Sequence, residues 1–246
     1  MSEFNKAEDN FNMLLKKTLC HQHEQLASVH HNLAYAHNLH DAFIDYQKSL
    51  DDSLKYLSSD DQHISEIYTN IGTVRKEQDK LDEPLGYLQR ALNMTRQAPQ
   101  INPLDVALGY NNIGAVLREQ GKYQEALDKY NCALIIYLQH YLQYPDLGNI
   151  YTNISAVYFS LKNFREALSY LEKTLELYEK SLPFNHPLIA LAHYNLACTL
   201  EELDRYIDAV KHPKRSIEFA RYSFDFTHPR MQMYQDYYDE LQDTIW

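Results

Sequence analysis

At 246 residues with a formal net charge of −11, the chain lacks the basic stripe that binding to nucleic acid or an anionic membrane requires. Only 6 Gly stand against 21 Tyr and many helix formers, which argues for helix and against a sheet with its frequent glycine turns. Cys20, Cys132 and Cys198 are odd in number and far apart, and no run of 18 apolar residues occurs, so a soluble protein of the reducing cytoplasm is expected, without membrane insertion.

The chain opens on Phe4-Asn-Lys-Ala7, followed by Phe11, Leu14 and Leu15, which reads as the second helix of a helix–turn–helix unit without its first. This half repeat spans 1–23 and implies that the chain starts in mid-repeat, continuing a longer protein or docking on something. Residues 24–60 form the first whole unit, marked by His31-Asn32-Leu33-Ala34 and shorter than its successors by about one helical turn. Histidines gather nearby at 21, 23, 30, 31, 37 and 40. No Cys or carboxylate stands at ligand spacing beside them, so solvated or interhelical histidines, and no metal site, are expected.

The second unit, 61–102, begins at Asp60 and Asp61, which suit a helix cap, and carries Thr69-Asn70-Ile71-Gly72. Its Arg75 and Pro84 depart from the pattern of the other units. From here prolines keep time. Pro103, Pro145, Pro187 and Pro229 are each 42 residues apart, and proline is tolerated at the first position of a helix, where its missing N–H needs no partner. The units 103–144, 145–186 and 187–228 therefore each start with a helix. Within them Asn111-Asn112-Ile113-Gly114, Thr152-Asn153-Ile154-Ser155 and Tyr194-Asn195-Leu196-Ala197 recur in register. The small fourth residue lets two helices approach closely. An aromatic-x-x-Ala step opens each second helix: Tyr123 to Ala126, Phe164 to Ala167, Tyr206 to Ala209. In the fourth unit the stripes Ile150, Ile154, Val157, Tyr158, Leu161 and Ala167, Leu171, Thr174, Leu175, Tyr178 have helical periodicity. Neither helix covers its stripe alone, so stacked neighbours must supply the core. Pro213 falls inside the second helix of the fifth unit and predicts a bend at 209–213. Residues 229–246 read as a lone terminal helix, with Tyr237 at the asparagine position.

The pattern of Ile113-Gly114, Leu117, Ala126 and Tyr130 resembles the tetratricopeptide (TPR) repeat, which pairs a Leu-Gly step in its first helix with an Ala-x-x-x-aromatic step in its second. The 42-residue period, longer than the usual ~34, resembles the variety found in kinesin light chains. The resemblance covers nearly all of the chain and implies an all-α, right-handed superhelical solenoid, 1–246, of about five repeats with a half repeat and a terminal helix. It is specific for fold and poor for function.

What the resemblance implies about binding centres on Asn32, Asn70, Asn112, Asn153 and Asn195. This position faces the concave groove in TPR arrays, where such asparagines hydrogen-bond an extended peptide's backbone. An amide both donates and accepts, which suits a peptide unit. The alternative role for the same asparagines is to link adjacent repeats. Family register adds Thr69, Lys76, Asn111, Arg118, Thr152, Phe159 and Tyr194, with Thr73, Ala115, Ala156, Cys198 and Glu201 beside them. The set lacks the Lys and Arg cluster that clamps a C-terminal carboxylate, so an extended internal segment of a protein partner is the expected ligand. No catalytic or cofactor motif occurs. The expectation is a non-catalytic scaffold or adaptor with no cofactor. A rival reading makes the array a regulatory or substrate-docking arm of a larger enzyme, an ADP-ribosyltransferase being one example. Self-association through Phe4, Phe11 and Leu15 is a third. The heptad coiled coil through which kinesin light chains join the motor is absent from this sequence.

Overall fold

The structure is a computed structural model describing residues 39–56, 62–78, 83–140, 145–222 and 228–245. Regular structure among them is entirely α-helical. One compact unit, Met1–Lys122, holds α1 (Leu39–Tyr56), α2 (Gln62–Glu77), α3 (Pro84–Gln97) and α4 (Pro103–Glu119). The other, Tyr123–Trp246, holds α5 (Tyr123–His140), α6 (Pro145–Ser160), α7 (Phe164–Ser181), α8 (Pro187–Glu201), α9 (Tyr206–Ala209), α10 (Lys211–Ala220) and α11 (Pro229–Ile245). The N-terminal half repeat, the first helix of the first repeat, and Asp60 and Asp61 lie outside the described residues.

Each timing proline is the first residue of its helix: Pro103 of α4, Pro145 of α6, Pro187 of α8 and Pro229 of α11. Pro84 likewise opens α3, which explains why it is tolerated there. At Pro103, Pro187 and Pro229 the residue before the proline does the capping. Asn102 Oδ1 accepts from Leu104 N–H at 3.1 Å, and in the His-Pro pairs an imidazole takes that role. His186 Nδ1 accepts from Leu188 N–H, and His228 Nδ1 from Arg230 N–H, both at 3.2 Å.

The turns from first to second helix share one geometry three times over. Gly121, Lys162 and Asp204 have φ of 74°, 58° and 58°. The following amide reaches back five residues: Lys122 N–H to Leu117 O, Asn163 N–H to Tyr158 O and Arg205 N–H to Leu200 O, each 2.9 Å. This is the Schellman closure, which satisfies carbonyls at a helix end. Only the first turn uses glycine, the residue that adopts this backbone without steric cost.

In the first unit, Tyr46 and Leu50 of α1 pack on Ile64, Ile67, Ile71 and Val74 of α2, with Ala91 of α3 completing the core. Gly72 lets α3 come close: a Cβ there would lie 2.7 Å from Leu88 Cγ. Arg75 earns its unusual place by tying three elements together. Its guanidinium lies 3.4 Å from the Phe43 ring centroid, pairs with Glu83 at 2.8 Å and donates to Gln78 Oε1 at 3.1 Å.

In the second unit, α6 packs on α5 and α7, and α7 on α8. A Cβ at Gly148 would meet Tyr178 Cε1 at 2.2 Å, so glycine admits this buried ring from α7. The Tyr178 hydroxyl then donates to Asn149 Oδ1 at 2.7 Å. The second helix of the fifth repeat is broken at Val210, between α9 and α10. Pro213 lacks the N–H that would bond to Ala209 O, and its ring crowds that carbonyl, so the break falls where the proline forbids continuation. Beyond it, Ile217 and Ala220 of α10 join Ala190 of α8 with Met231 and Tyr234 of α11.

Candidate functional site

In the first unit, α2 and α4 flank a cleft of about 550 Å³ whose floor is α3. Asn70 and Asn112 both line it, as does Thr69. Both asparagines are half-buried, and neither amide hydrogen-bonds a described residue. An amide so placed has donor and acceptor capacity to offer a ligand. Helical spacing builds the walls: Glu66 stands one turn before Asn70, while Leu108 and Asp105 stand one and two turns before Asn112, and all three line the cleft. The Thr69 hydroxyl is already committed, donating to Ser65 O at 3.0 Å. Ser65 and Thr95, also lining residues, share a 2.9 Å bond.

The remaining predicted residues of this unit sit apart from the cleft lining. Lys76 and Arg118 converge on one carboxylate, Glu119, at 3.9 and 3.8 Å. All three are partly exposed, and such pairs contribute little. Asn111 is half-buried and engaged in an interaction. Asn32 lies outside the described residues, as do the helix bearing Phe4, Phe11 and Leu15 and the histidines before position 38.

In the second unit the predicted residues have diverging roles. Thr152 Oγ1 bonds back to Gly148 O at 2.9 Å, and Asn153 is engaged in an interaction. Phe159 packs edge-on to Phe164 at 5.2 Å. Asn195 is half-buried with no hydrogen bond from its amide to a described residue. Tyr194 is covered by α11, its ring 5.3 Å from that of Tyr234 and 5.2 Å from that of Tyr237. Tyr237 donates to Glu201 Oε2 at 2.6 Å, and burial followed by this carboxylate pushes its pKa up. Cys198 lies between the two tyrosines, its thiol also raised by burial. The terminal helix thus seals the Tyr194–Cys198–Glu201 face.

Two features escaped the sequence reading. Glu66, Asp105, Ile101 and Leu108 line the cleft, and stepping back four and seven residues from each asparagine would have found three of them. The other is a buried histidine pair, His193 Nδ1 and His212 Nδ1 at 2.9 Å, with His193 stacked on Phe219. Burial, His212 and Arg215 lower His193 to about 3; burial also lowers His212. Among the described residues no group of three or more His, Cys, Asp or Glu is placed to hold a metal ion. No described helix is long and apolar enough to cross a membrane.

Paired helices at a fixed period, closed by small residues and the same turn, define an all-α helical-repeat protein of the TPR class. The tetratricopeptide repeat family model matches residues 105–180 and 146–221, so this stretch carries tetratricopeptide repeats. Solved structures agree on the fold. BtubC (BKLC) from P. vanneervenii superposes with a TM-score of 0.70 at 16% identity, over 93% of this chain and 95% of that one. Nearly identical TPR-like repeats from a Podospora anserina protein described as a kinesin light chain give 0.65 at 13% identity, over 82% and 95%. A signal-transduction ATPase with numerous domains and a TPR sensor, from Pyrococcus horikoshii, gives 0.74 at 17% identity, over 93% of this chain but 34% of that one. No curated protein matches by sequence. The TPR fold is a protein–protein interaction scaffold.

Proposed function

We propose that this chain is a non-catalytic adaptor of the cytoplasm, built of repeats at 24–60, 61–102, 103–144, 145–186 and 187–228, that binds an extended peptide segment of a partner protein. One observation carries the reading: Asn70 and Asn112 present half-buried amides, unbonded to described residues, into a single cleft of about 550 Å³. Asn195 offers a similar amide in the second unit. Amides spaced along successive first helices hydrogen-bond a main chain, while apolar pockets choose side chains. Cys132 and Cys198 are free thiols, in keeping with a reducing compartment.

A second reading makes the array the sensing or docking arm of a larger enzyme. The P. horikoshii ATPase favours it, because there a TPR sensor is one part of a longer chain.

Screening a random peptide library against the purified chain and against an Asn70→Ala/Asn112→Ala/Asn195→Ala variant tests the first reading, once circular dichroism shows both equally helical. The parent is expected to select a motif, and the variant to lose about tenfold in affinity or more, since each lost hydrogen bond is worth ~0.5–1.5 kcal/mol. Equal selection by both proteins would make the asparagines structural and the reading wrong.

A further inference from the structure

We propose that the cleft between α2 and α4 selects segments in which an aliphatic side chain is flanked by lysine or arginine. The inference rests on the peptide-binding reading above and gives the ligand its chemistry. The floor is apolar, with Leu88 and Leu92 buried beneath it. Part of the rim is apolar as well and stands in water: Ile101 and Leu108 are 53% and 48% exposed. Exposed aliphatic rims around an apolar floor gain from covering by an aliphatic group, and the volume lies in the usual range for a ligand pocket.

Charge narrows the choice. Glu66 and Asp105 line the cleft, and no lysine or arginine is among the described residues that do. The N-terminus of α4 offers little to offset them, because Asn102 already occupies the Leu104 amide. A carboxylate entering here would lose water beside two like charges, with no described lysine or arginine in the lining to receive it. A lysine or arginine would lay its aliphatic stem along Ile101 and Leu108 while its charged head stays wet near the carboxylates. The flanking cation and the central aliphatic group therefore use different parts of the same cleft.

Fluorescence anisotropy with three labelled nine-residue peptides in an alanine–serine host tests this. Each has a central leucine flanked on both sides by Lys, by Gln or by Glu. At low salt the Lys peptide is expected to bind about fivefold tighter than the Gln peptide and the Glu peptide more weakly than either, as two partly exposed ion pairs provide. The preference should shrink as salt rises. Glu66→Gln/Asp105→Asn should bring the Lys peptide to the Gln level, with an unchanged circular dichroism spectrum. Asn70→Ala/Asn112→Ala should weaken all three alike. Equal binding of the three peptides that the asparagine variant abolishes would overturn charge selection and leave the peptide groove standing. Tighter binding of the Glu peptide, or a Lys preference that survives Glu66→Gln/Asp105→Asn, would also overturn it. Binding of all three untouched by the asparagine variant, or no binding at all, would overturn both.

Discussion

Adding one methyl group at either of two helical glycines should move stability in opposite directions. At Gly86 a Cβ would meet nothing within 4 Å, so Gly86→Ala should simply gain the helix preference of alanine, about 0.8–1.0 kcal/mol. At Gly148 the same Cβ would lie 2.2 Å from Tyr178 Cε1, 2.8 Å from Cζ and 2.9 Å from Cδ1. Tyr178 is buried and held through Asn149, so moving it disturbs both its packing and that bond. Displacing it forfeits a hydrogen bond of ~0.5–1.5 kcal/mol and adds overpacking of ~1–3 kcal/mol. Set against the helix gain, Gly148→Ala should destabilise by about 1–3 kcal/mol. Urea denaturation followed by circular dichroism and by tyrosine fluorescence measures both variants. Two probes are needed because repeat arrays can unfold in stages. Combining Gly148→Ala with Tyr178→Leu should cost less than the sum of the single changes, since both act on one contact. A Gly148→Ala protein as stable as Gly86→Ala would refute the steric argument.

His186→Ala should cost about 1 kcal/mol by removing the cap on α8, and His186→Asn should restore most of it, both read from thermal melts. Lys162→Gly should stabilise by several tenths of a kcal/mol to about 1 kcal/mol, because the turn at φ 58° strains any side chain. Acid should weaken the second unit through the His193–His212 pair, whose neighbours are Phe219, Arg215, Lys211 and Asp208. Folded His193 is held down to about 3, so the unfolded chain binds the proton first, and the stability present above ~6.5 is lost as pH falls toward 3. Between pH 7 and 5 the loss from His193 is about 2 kcal/mol, and His193→Phe should flatten that slope in pH-dependent urea titrations.

The repeat frame was legible because it rests on local chemistry. Prolines 42 residues apart mark the starts of α4, α6, α8 and α11, and Pro213 announced its own break because the residue it offends, Ala209, is fixed by the helical hydrogen-bond pattern. What stayed hidden depends on partners distant in sequence. Gly148 carries no visible signal, since its reason is a ring thirty residues away. The three turns also went unread, because only Gly121 has the expected residue, although the same closing hydrogen bond follows Lys162 and Asp204. For the site, sequence register named the asparagine positions but not which amides the fold uses internally. Asn153 is engaged, whereas Asn70 and Asn112 share a cleft, and that division appears only once neighbouring helices are in place. Tyr194 was read as groove surface, and the terminal helix covers it with Tyr234 and Tyr237.

The histidine caps have a spectroscopic consequence. A ring whose Nδ1 accepts from a backbone amide must carry its hydrogen on Nε2, so His186 and His228 are each locked in one tautomer while the cap holds. Nitrogen chemical shifts distinguish the two tautomers directly. Selective labelling of histidine would therefore give a separate gauge at the entrance of α8 and of α11, and fraying of either helix would register at its own ring while the rest of the chain stays folded.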